Sequence, residues 1–315
     1  MTAPLVSVLI PAFNAGRYLR PAVKSILEQS YTNLEIIVID DGSTDGCINS
    51  ILDFNDGRIR LLSQANAGKP SALNRALDAM SGDIYALQDA DDLSHPNRIE
   101  RQVRCLQQRS ELAAVFTGWE IILNDRRLAP RFRAKSPDEC RRDIESLRMP
   151  AHDPTAMYRL ACVKDFRYEP SLSIGEGFDY ILRVGEKFPM MVLGDCLYSY
   201  RVHSNSLMQK HQDNTQAIAQ RILVRASQRR GIQLNAALLD GSASRRRWRE
   251  HGTVTHFMES VLDLRRSGQP ARALVTAWEC LRLRPADHLY YRPLLYAFAP
   301  QSLIEFYRSR KIRAR

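Results

Sequence analysis

Over its first 120 residues the chain alternates short runs of β-branched and other apolar residues with stretches in which apolar positions recur every three to four residues. The runs are typical of strands buried on both faces, and the stretches are typical of helices. The predicted strands are Val6–Ile10, Ile36–Ile39, Ile59–Leu62, Ile84–Leu87 and Ala113–Phe116. The predicted helices are Tyr18–Gln29, Ser71–Met80 and Asn97–Gln107. Such alternation predicts an α/β fold, in which a mostly parallel sheet is flanked by helices.

The pattern changes after the fifth predicted strand. Residues 124–175 are less regular and contain five prolines, and they are followed by a helical patch at Phe178–Glu186 and a strand at Leu197–Val202. From about Asn214 the pattern is helical throughout. We therefore predict an α/β domain over residues 1–213 and a helical C-terminal region over residues 214–315.

Composition places the chain among ordinary globular proteins. It has 315 residues, of which 44% are hydrophobic and 25% are charged, and this excludes a disordered chain, a collagen and a coiled coil. No apolar run approaches the roughly 20 residues that cross a bilayer, and the N-terminus lacks a signal-peptide pattern. The six cysteines are widely spaced without a C-x-x-C pair, which predicts free thiols in a reducing compartment.

Charge is unevenly distributed along the chain. Residues 1–200 carry 24 Lys and Arg against 27 Asp and Glu, whereas residues 201–315 carry 21 against 8. The net charges are therefore −3 and +13, with arginines grouped at 245–249 and 308–315. Such a basic region suggests an anionic partner, either phospholipid or nucleic acid, and a solvated arginine-rich helix face is the alternative. We expect a membrane surface, because interleaved stacking aromatics and a nucleic-acid-binding motif are missing.

Polar clusters follow three of the predicted strands, at Pro11–Asn14, Asp40–Ser43 and Asp89–Asp92. Ligands of open α/β sheets bind beyond the carboxyl ends of the strands. Three polar tips at one edge therefore predict a binding site.

The most informative cluster is the sequence QDADD, which contains three aspartates directly after Ile84–Leu87. Successive carboxylates repel one another unless a cation lies among them, and their hard oxygen atoms suit Mg²⁺ or Mn²⁺. The alternative is an acidic turn that caps the next helix, but capping accounts for one acid and not for three.

Two further segments are weaker signals. In IDDGSTD the aspartates of residues 40–45 are able to accept hydrogen bonds from a base or ribose, although D-G-S is also a common turn. In NAGKPSALN, Gly68 permits close approach of the backbone, and helical amides from about Pro70 are suited to an anionic group. A P-loop and a dinucleotide-binding G-x-G-x-x-G are both absent from the sequence.

Taken together, these segments resemble the family 2 glycosyltransferases of the GT-A fold. The resemblance rests on four segments in order and spacing, and it covers roughly residues 5–205: Ser7–Asn14, Val38–Asp45, Asn66–Asn74 and Ser81–Asp92. It implies an inverting transfer of a sugar from a nucleoside diphosphate sugar, of the UDP or dTDP type, to a hydroxyl of a glycan, polysaccharide or lipid-linked acceptor. It also implies Mn²⁺ or Mg²⁺ as cofactor. With the charge distribution described above, we expect a cytoplasmic enzyme whose basic region makes peripheral contact with the inner face of the membrane.

The same resemblance implies roles for particular residues. The implied nucleotide- and donor-binding residues are Pro11, Phe13, Asn14, Asp40, Asp41, Lys69, Asp89 and Arg201. The implied metal ligands are Asp91, Asp92 and His203, and the implied sugar and acceptor pocket contains His152 and Thr155. A lone histidine such as His203 is otherwise a satisfied surface or core residue.

One departure concerns the catalytic base. The family's base element commonly reads Glu-Asp before an aromatic residue, whereas here GEGFDYILR places Gly177 at the usual Asp position. Under this resemblance either Asp179 or Glu176 acts as the base, or the base is displaced to another position. Residues three apart on a helix lie near each other, so both carboxylates are able to border one cavity. A salt bridge to Arg183, four residues later, is the other interpretation of Asp179.

Two other function classes remain open at this point. A nucleotidyltransferase that forms nucleotide sugars would carry a glycine-rich, arginine-containing loop after the first strand, but PAFNAGRYL has one glycine. A sugar-binding or scaffold relative that has lost its base is the other alternative, and Gly177 is the residue that favours it.

Overall fold

Parallel strands form the centre of the molecule. The structure is a computed structural model that describes residues 3–123, 125–202, 215–233 and 253–300. Its strands are β1 (Val6–Ala12), β2 (Leu34–Asp40), β3 (Ile59–Ser63), β4 (Ile84–Leu87), β5 (Leu93–Ser94), β6 (Ala114–Leu123), β7 (Arg126–Leu128), β8 (Met157–Arg159) and β9 (Met190–Arg201). In this part of the chain they make one nine-stranded sheet of order β3-β2-β1-β4-β8-β6-β9-β5, with β7 paired to β6.

The strand directions bring the predicted polar tips to one edge. Strands β1 to β4 are mutually parallel, and β8 runs antiparallel to both β4 and β6, so β6 and β9 point the same way as β4. The carboxyl ends of β1, β2, β4, β6 and β9 therefore share an edge with the start of β8.

Helices cover both faces of this sheet. They are α1 (Leu19–Leu27), α2 (Lys69–Ala79), α3 (Arg98–Gln108), α4 (Pro137–Glu145), α5 (Leu160–Val163), α6 (Glu176–Gly185), α7 (Thr215–Arg230), α8 (Thr253–Arg266), α9 (Pro270–Leu283) and α10 (Arg292–Phe298). Alternate residues of β1 enter opposite cores: Val8 and Ile10 pack with α1 and α3, whereas Leu9 packs with α2 and α6. The predicted α/β fold with a mostly parallel sheet is confirmed.

Three of the observed strands depart clearly from the predicted ones, and one of them is β6, which continues seven residues beyond the predicted Phe116, to Leu123. Strand β3 is only partly buried, because it lies at the edge of the sheet and pairs with β2 alone among the described strands. Strand β9 begins seven residues before the predicted Leu197, and it pairs with β6 through an irregular register near Gly118. A Cβ at Gly118 would lie 2.0 Å from the Arg131 carbonyl oxygen, so this close approach requires glycine.

The described C-terminal residues are mainly helical, as the sequence predicts. Helix α7 packs beside α6 through Ile218 and Ile222. Helices α8 and α9 pack on the C-terminal half of β6 through Phe257 and Cys280. Among the described helices, none combines the length and the apolar character that a membrane crossing needs. All six cysteines are free, as predicted.

Candidate active site

The loops after β1 and β2 are held together by side-chain hydrogen bonds. Asn14 has a left-handed backbone (φ 48°), its amide donates to Ser43 Oγ at 3.1 Å, and its Oδ1 accepts from the Thr44 amide at 2.8 Å. Pro11 belongs to β1, and the Phe13 side chain is 46% exposed beyond the strand end. The structure therefore presents an exposed aromatic ring at the predicted nucleotide edge.

Asp40, the last residue of β2, and Asp41, the residue after it, have different hydrogen-bond partners. Asp40 Oδ1 accepts from the Ser43 amide at 2.8 Å. Asp41 is buried, and its Oδ1 accepts from the Ala67 amide and its Oδ2 from the Gly68 amide, both at 2.9 Å. Asp41 thus holds the Asn66–Gly68 segment against the loop after β2, which places the start of α2 at the site.

Three carboxylates meet after β4. Oxygen atoms of Asp89, Asp91 and Asp92 all lie within 4.8 Å of one another. Burial raises the pKa of Asp92 well above its ordinary value, and the charges of Asp91 and Asp89 raise it further. This mutual repulsion and the all-oxygen donor set fit a divalent cation.

The Asp92 carboxylate is also fixed by the protein. Its Oδ2 accepts a hydrogen bond from the Tyr198 hydroxyl at 2.8 Å, and its Oδ1 accepts from the Arg201 amide at 2.7 Å. The Arg201 side chain donates from Nε to the Asp91 carbonyl at 3.1 Å and pairs with Asp125 at 3.0 Å. Arg201 and Tyr198 therefore connect the end of β9 to the acidic turn.

Lys69 balances this negative charge. Its Nζ lies 2.7 Å from Asp89 Oδ1 and 3.3 Å from Glu176 Oε1. Burial by itself lowers the pKa of Lys69, but the charges of Asp89, Glu176 and Asp153 together raise it well above its ordinary value. The lysine at the start of α2 is therefore protonated and joins the acidic turn to the start of α6.

A buried arginine that sequence reasoning missed stabilises the backbone next to the acidic turn. Arg98 is fully buried, donates to the carbonyls of Leu87 and Pro154 at 2.9 Å, and stacks on Tyr198 with 4.9 Å from Cζ to the ring centroid. Burial lowers its pKa to about 10. Periodicity identifies Arg98 only as the start of a helix, because burial of a charged residue has no local sequence signal.

The predicted sugar and acceptor pocket contains a wall of rings. The His152 ring stacks on Trp119 at 4.6 Å and meets Tyr200 edge-on at 5.1 Å, while His256 of α8 lies 3.9 Å from Trp119 on centroids. Burial lowers the pKa of His152 to about 4, so its ring is neutral. Thr155 is fully buried and its hydroxyl donates to the His152 carbonyl at 2.7 Å, so it stabilises the turn that presents His152.

The two predicted bases lie in different surroundings. Glu176 is the first residue of α6 and contacts Lys69. Asp179 is instead ion-paired with Arg183 at 2.7 Å and with Arg229 of α7 at 3.8 Å. The structure thus brings Glu176 to Lys69 beside the acidic turn. Asp179 instead forms the salt bridge to Arg183 that the sequence offered as the alternative to a catalytic role.

Asp153 is a second residue that sequence reasoning missed, although it directly follows His152 of the predicted sugar and acceptor pocket. It is 8% exposed, and its Oδ1 has no hydrogen-bond partner among the described residues. Burial raises its pKa to about 7; Lys69 lowers the pKa, and Glu176 and Asp89 raise it.

His203 and the arginine groups at 245–249 and 308–315 lie outside the described residues.

Sequence comparison gives a family. A profile described as Glycosyl transferase family 2 matches residues 7–167. An uncharacterized glycosyltransferase of Haemophilus influenzae is 30% identical over 229 residues, which are 68% of this chain and 71% of that protein. The Escherichia coli protein named UDP-Glc:alpha-D-GlcNAc-diphosphoundecaprenol beta-1,3-glucosyltransferase WfgD is 35% identical over 122 residues, which are 38% of this chain and 48% of WfgD. An uncharacterized glycosyltransferase of Rickettsia typhi is 39% identical over 121 residues, or 38% of each chain.

Solved structures agree on the fold. Residues 1–349 of Staphylococcus aureus TarS in complex with UDP-GlcNAc superpose with a TM-score of 0.62 at 18% identity, covering 91% of this chain and 89% of that one. The mannosyltransferase PcManGT from Pyrobaculum calidifontis, in complex with GDP-Man and Mn²⁺, gives 0.57 at 17% identity, covering 94% and 85%. Both neighbours have the GT-A fold. The chain therefore belongs to glycosyl transferase family 2 and is a glycosyltransferase with the GT-A fold.

Proposed function

We propose that this enzyme catalyses an inverting, metal-dependent transfer of a sugar from a nucleoside diphosphate sugar to a hydroxyl acceptor. The observation that carries the proposal is the cluster of Asp89, Asp91 and Asp92 at the carboxyl edge of the sheet, next to the protonated Lys69. A diphosphate bound at this edge requires both a cation and fixed positive charge, and the edge offers ligands for the first and a lysine for the second.

The nucleotide is proposed to bind over the loops after β1 and β2. The exposed ring of Phe13 is suited to packing on the base or ribose, and Asp40 is suited to accepting hydrogen bonds from them. Pro11 and Asn14 give this loop its shape, and Asp41 positions the neighbouring Asn66–Gly68 segment. UDP is the nucleotide in the printed names of WfgD and of the TarS complex, and it is our proposed donor nucleotide.

The divalent cation is proposed to be Mn²⁺ or Mg²⁺, held by Asp91 and Asp92, with His203 as a further ligand. The carboxylate oxygens fit such an ion, and Mn²⁺ is named in the PcManGT complex. When bound, the ion stabilises negative charge on the departing diphosphate. Asp89 is assigned to the ribose or sugar, while Arg201 holds the acidic turn in place and adds positive charge beside it.

The acceptor is proposed to enter beside His152, Trp119 and Tyr200. Flat aromatic rings are suited to the apolar faces of a sugar, and the neutral His152 adds a polar atom. In an inverting transfer the acceptor hydroxyl attacks the anomeric carbon from the face opposite the diphosphate. This route requires one carboxylate base and no protein nucleophile.

We also propose that residues 214–315 form a basic region that contacts an anionic membrane and brings the cytoplasmic enzyme to a lipid-linked acceptor. Trp278 of α9 is 54% exposed, and Leu295 and Phe298 of α10 are 67% and 73% exposed. The net charge of +13 over residues 201–315 complements anionic lipid. The printed name of WfgD contains alpha-D-GlcNAc-diphosphoundecaprenol, which is a lipid-linked sugar.

Incubation with a panel of nucleotide sugars, with and without Mn²⁺, tests the proposal. We expect release of a nucleoside diphosphate from at least one donor, and only when the metal and an acceptor are present. Release of pyrophosphate from a nucleoside triphosphate and a sugar phosphate would instead identify a nucleotidyltransferase. Binding of nucleotide sugars without any release, across the panel and with glycan and lipid acceptors, would identify a sugar-binding relative and refute the proposal.

A further inference from the structure

The carboxylate of Asp153 occupies the space of a side chain that Gly177 lacks. A Cβ built on Gly177 would lie 2.2 Å from Asp153 Cγ and 2.2 Å from its Oδ2. Atoms never approach so closely without a shift, so a carboxylate packs against the first turn of α6 only because residue 177 is glycine. Gly177 and Asp153 thus form a matched pair beside Glu176.

The other carboxylates around Lys69 already have protein partners. Asp89 and Glu176 are both ion-paired with the lysine. Each oxygen of Asp92 accepts a hydrogen bond. Asp153 differs, because its Oδ1 is buried and has no hydrogen-bond partner among the residues that the structure describes.

A neighbouring atom is in the same condition. The Nε2 atom of His152 is also buried and has no hydrogen-bond partner within the described ranges. Unsatisfied buried polar atoms are rare in folded proteins and each requires an explanation. These two lie on consecutive residues, and the His152 ring itself packs on Trp119 and Tyr200. Both atoms are satisfied if a polar ligand such as a sugar hydroxyl bonds to them.

We propose that Asp153 is the catalytic base that takes the proton of the acceptor hydroxyl, an assignment that rests on the proposed function above. The acceptor oxygen forms its bond to the anomeric carbon while the bond from that carbon to the diphosphate oxygen breaks. The electron pair of the broken bond leaves with the diphosphate, and the hydroxyl proton passes to Asp153 Oδ1 and then to water. His152 Nε2 orients the same hydroxyl.

The surroundings of Asp153 suit a base that works near neutral pH. Burial raises its pKa to about 7, with Lys69 opposing and Glu176 and Asp89 reinforcing the shift. A general base is most effective when its pKa lies close to the working pH. Glu176 and Asp179 then act as ion-pair partners of Lys69 and Arg183 rather than as the base.

The first test is Asp153→Asn, which keeps the shape that fits against Gly177. We expect turnover to fall by about 100-fold or more, the usual contribution of a general base, while UDP affinity in the presence of Mn²⁺ stays within about threefold of the wild type. Asp153→Ala should regain part of its turnover when formate is added, because a small carboxylate then enters the space left by the side chain. The exposed Asp78→Asn, whose partner Arg167 is also at the surface, is the matched control.

The second test displaces Asp153 without changing it. Gly177→Ala places a Cβ where the carboxylate lies, so turnover should fall although alanine favours a helix. Combined with Asp153→Asn, it should cause no further loss. Gly57→Ala, at a position where a Cβ meets nothing within 4 Å, should leave turnover unchanged.

The outcomes separate this assignment from the proposed function. If the wild type releases diphosphate and a folded Asp153→Asn retains turnover within about threefold, Asp153 is not the base and the transferase proposal stands. If Asp153→Asn does not fold, the assignment is decided by Gly177→Ala, and wild-type turnover of that variant would overturn it. A wild type that is inactive with every donor overturns the proposed function first.

Discussion

The Tyr198 hydroxyl is expected to be one of the main supports of the acidic turn. It is fully buried, donates to Asp92 Oδ2 at 2.8 Å, and accepts from the Asp89 amide at 3.1 Å. Tyr198→Phe removes this oxygen, so a buried carboxylate oxygen and a partly buried amide lose their hydrogen bonds to it. Each such loss costs about 1–3 kcal/mol, so we expect the free energy of unfolding to fall by about 3–4 kcal/mol in total.

This loss should depend on pH. The hydrogen bond from Tyr198 lowers the pKa of Asp92, which burial has raised well above its ordinary value. The stabilisation is therefore present while Asp92 is ionised and is lost as the pH falls through its pKa in the folded protein. The difference between wild type and Tyr198→Phe should therefore be larger at the higher than at the lower of two pH values that lie on either side of that pKa.

Urea unfolding at the two pH values, followed by tryptophan fluorescence, measures the effect. Tyr291→Phe is the matched control, because its hydroxyl makes one hydrogen bond at the surface, to the Pro285 carbonyl at 3.1 Å. We expect that control to stay within about 0.5 kcal/mol of the wild type. A Tyr198→Phe protein within about 1 kcal/mol of the wild type at both pH values would refute the reasoning.

Three further predictions follow from the site and the basic region. Phe13→Ala should weaken UDP binding about tenfold by calorimetry, whereas Leu52→Ala, another exposed apolar residue, should not; equal affinities would remove Phe13 from the nucleotide site. Glu176→Gln should lower turnover by loosening Lys69, whereas Asp179→Asn should lower stability by about 3 kcal/mol with UDP affinity unchanged; the reverse pattern would contradict these contacts. Liposome co-sedimentation should show binding to anionic but not neutral vesicles, weakened by salt and by Trp278→Ser with Phe298→Ser; equal recovery in every supernatant would leave the basic region as a solvated surface.

Much of the α/β core was predictable because its signals are local. The run Ile84–Leu87 coincides with β4, since an unbroken apolar run followed by QDADD marks both the strand and its end. The end of β6 and the start of β9 were not predictable. Thr117, Gly118 and Gly194 interrupt the apolar pattern there. The strands continue through these residues because β6 and β9 pair with each other, and the local sequence pattern does not show that pairing.

The site residues were predictable where the residue type itself indicates the chemistry. They were less predictable where the packing of helices and strands determines what a residue does. The three aspartates after β4 come together as the spacing implies. In contrast, the burial of Arg98 and the fit of Asp153 against Gly177 depend on which elements pack on one another. From the sequence alone Gly177 suggests a lost base, whereas in the structure the same glycine makes room for a carboxylate.

The most direct test of the account is the turnover of Asp91→Asn. The central claim is that the acidic turn holds the cation that a nucleoside diphosphate sugar requires for transfer. With Mn²⁺ and an active donor, we expect this variant to lose at least about 100-fold in diphosphate release while its circular dichroism and melting temperature match the wild type. Turnover near that of the wild type under the same conditions would contradict the claim.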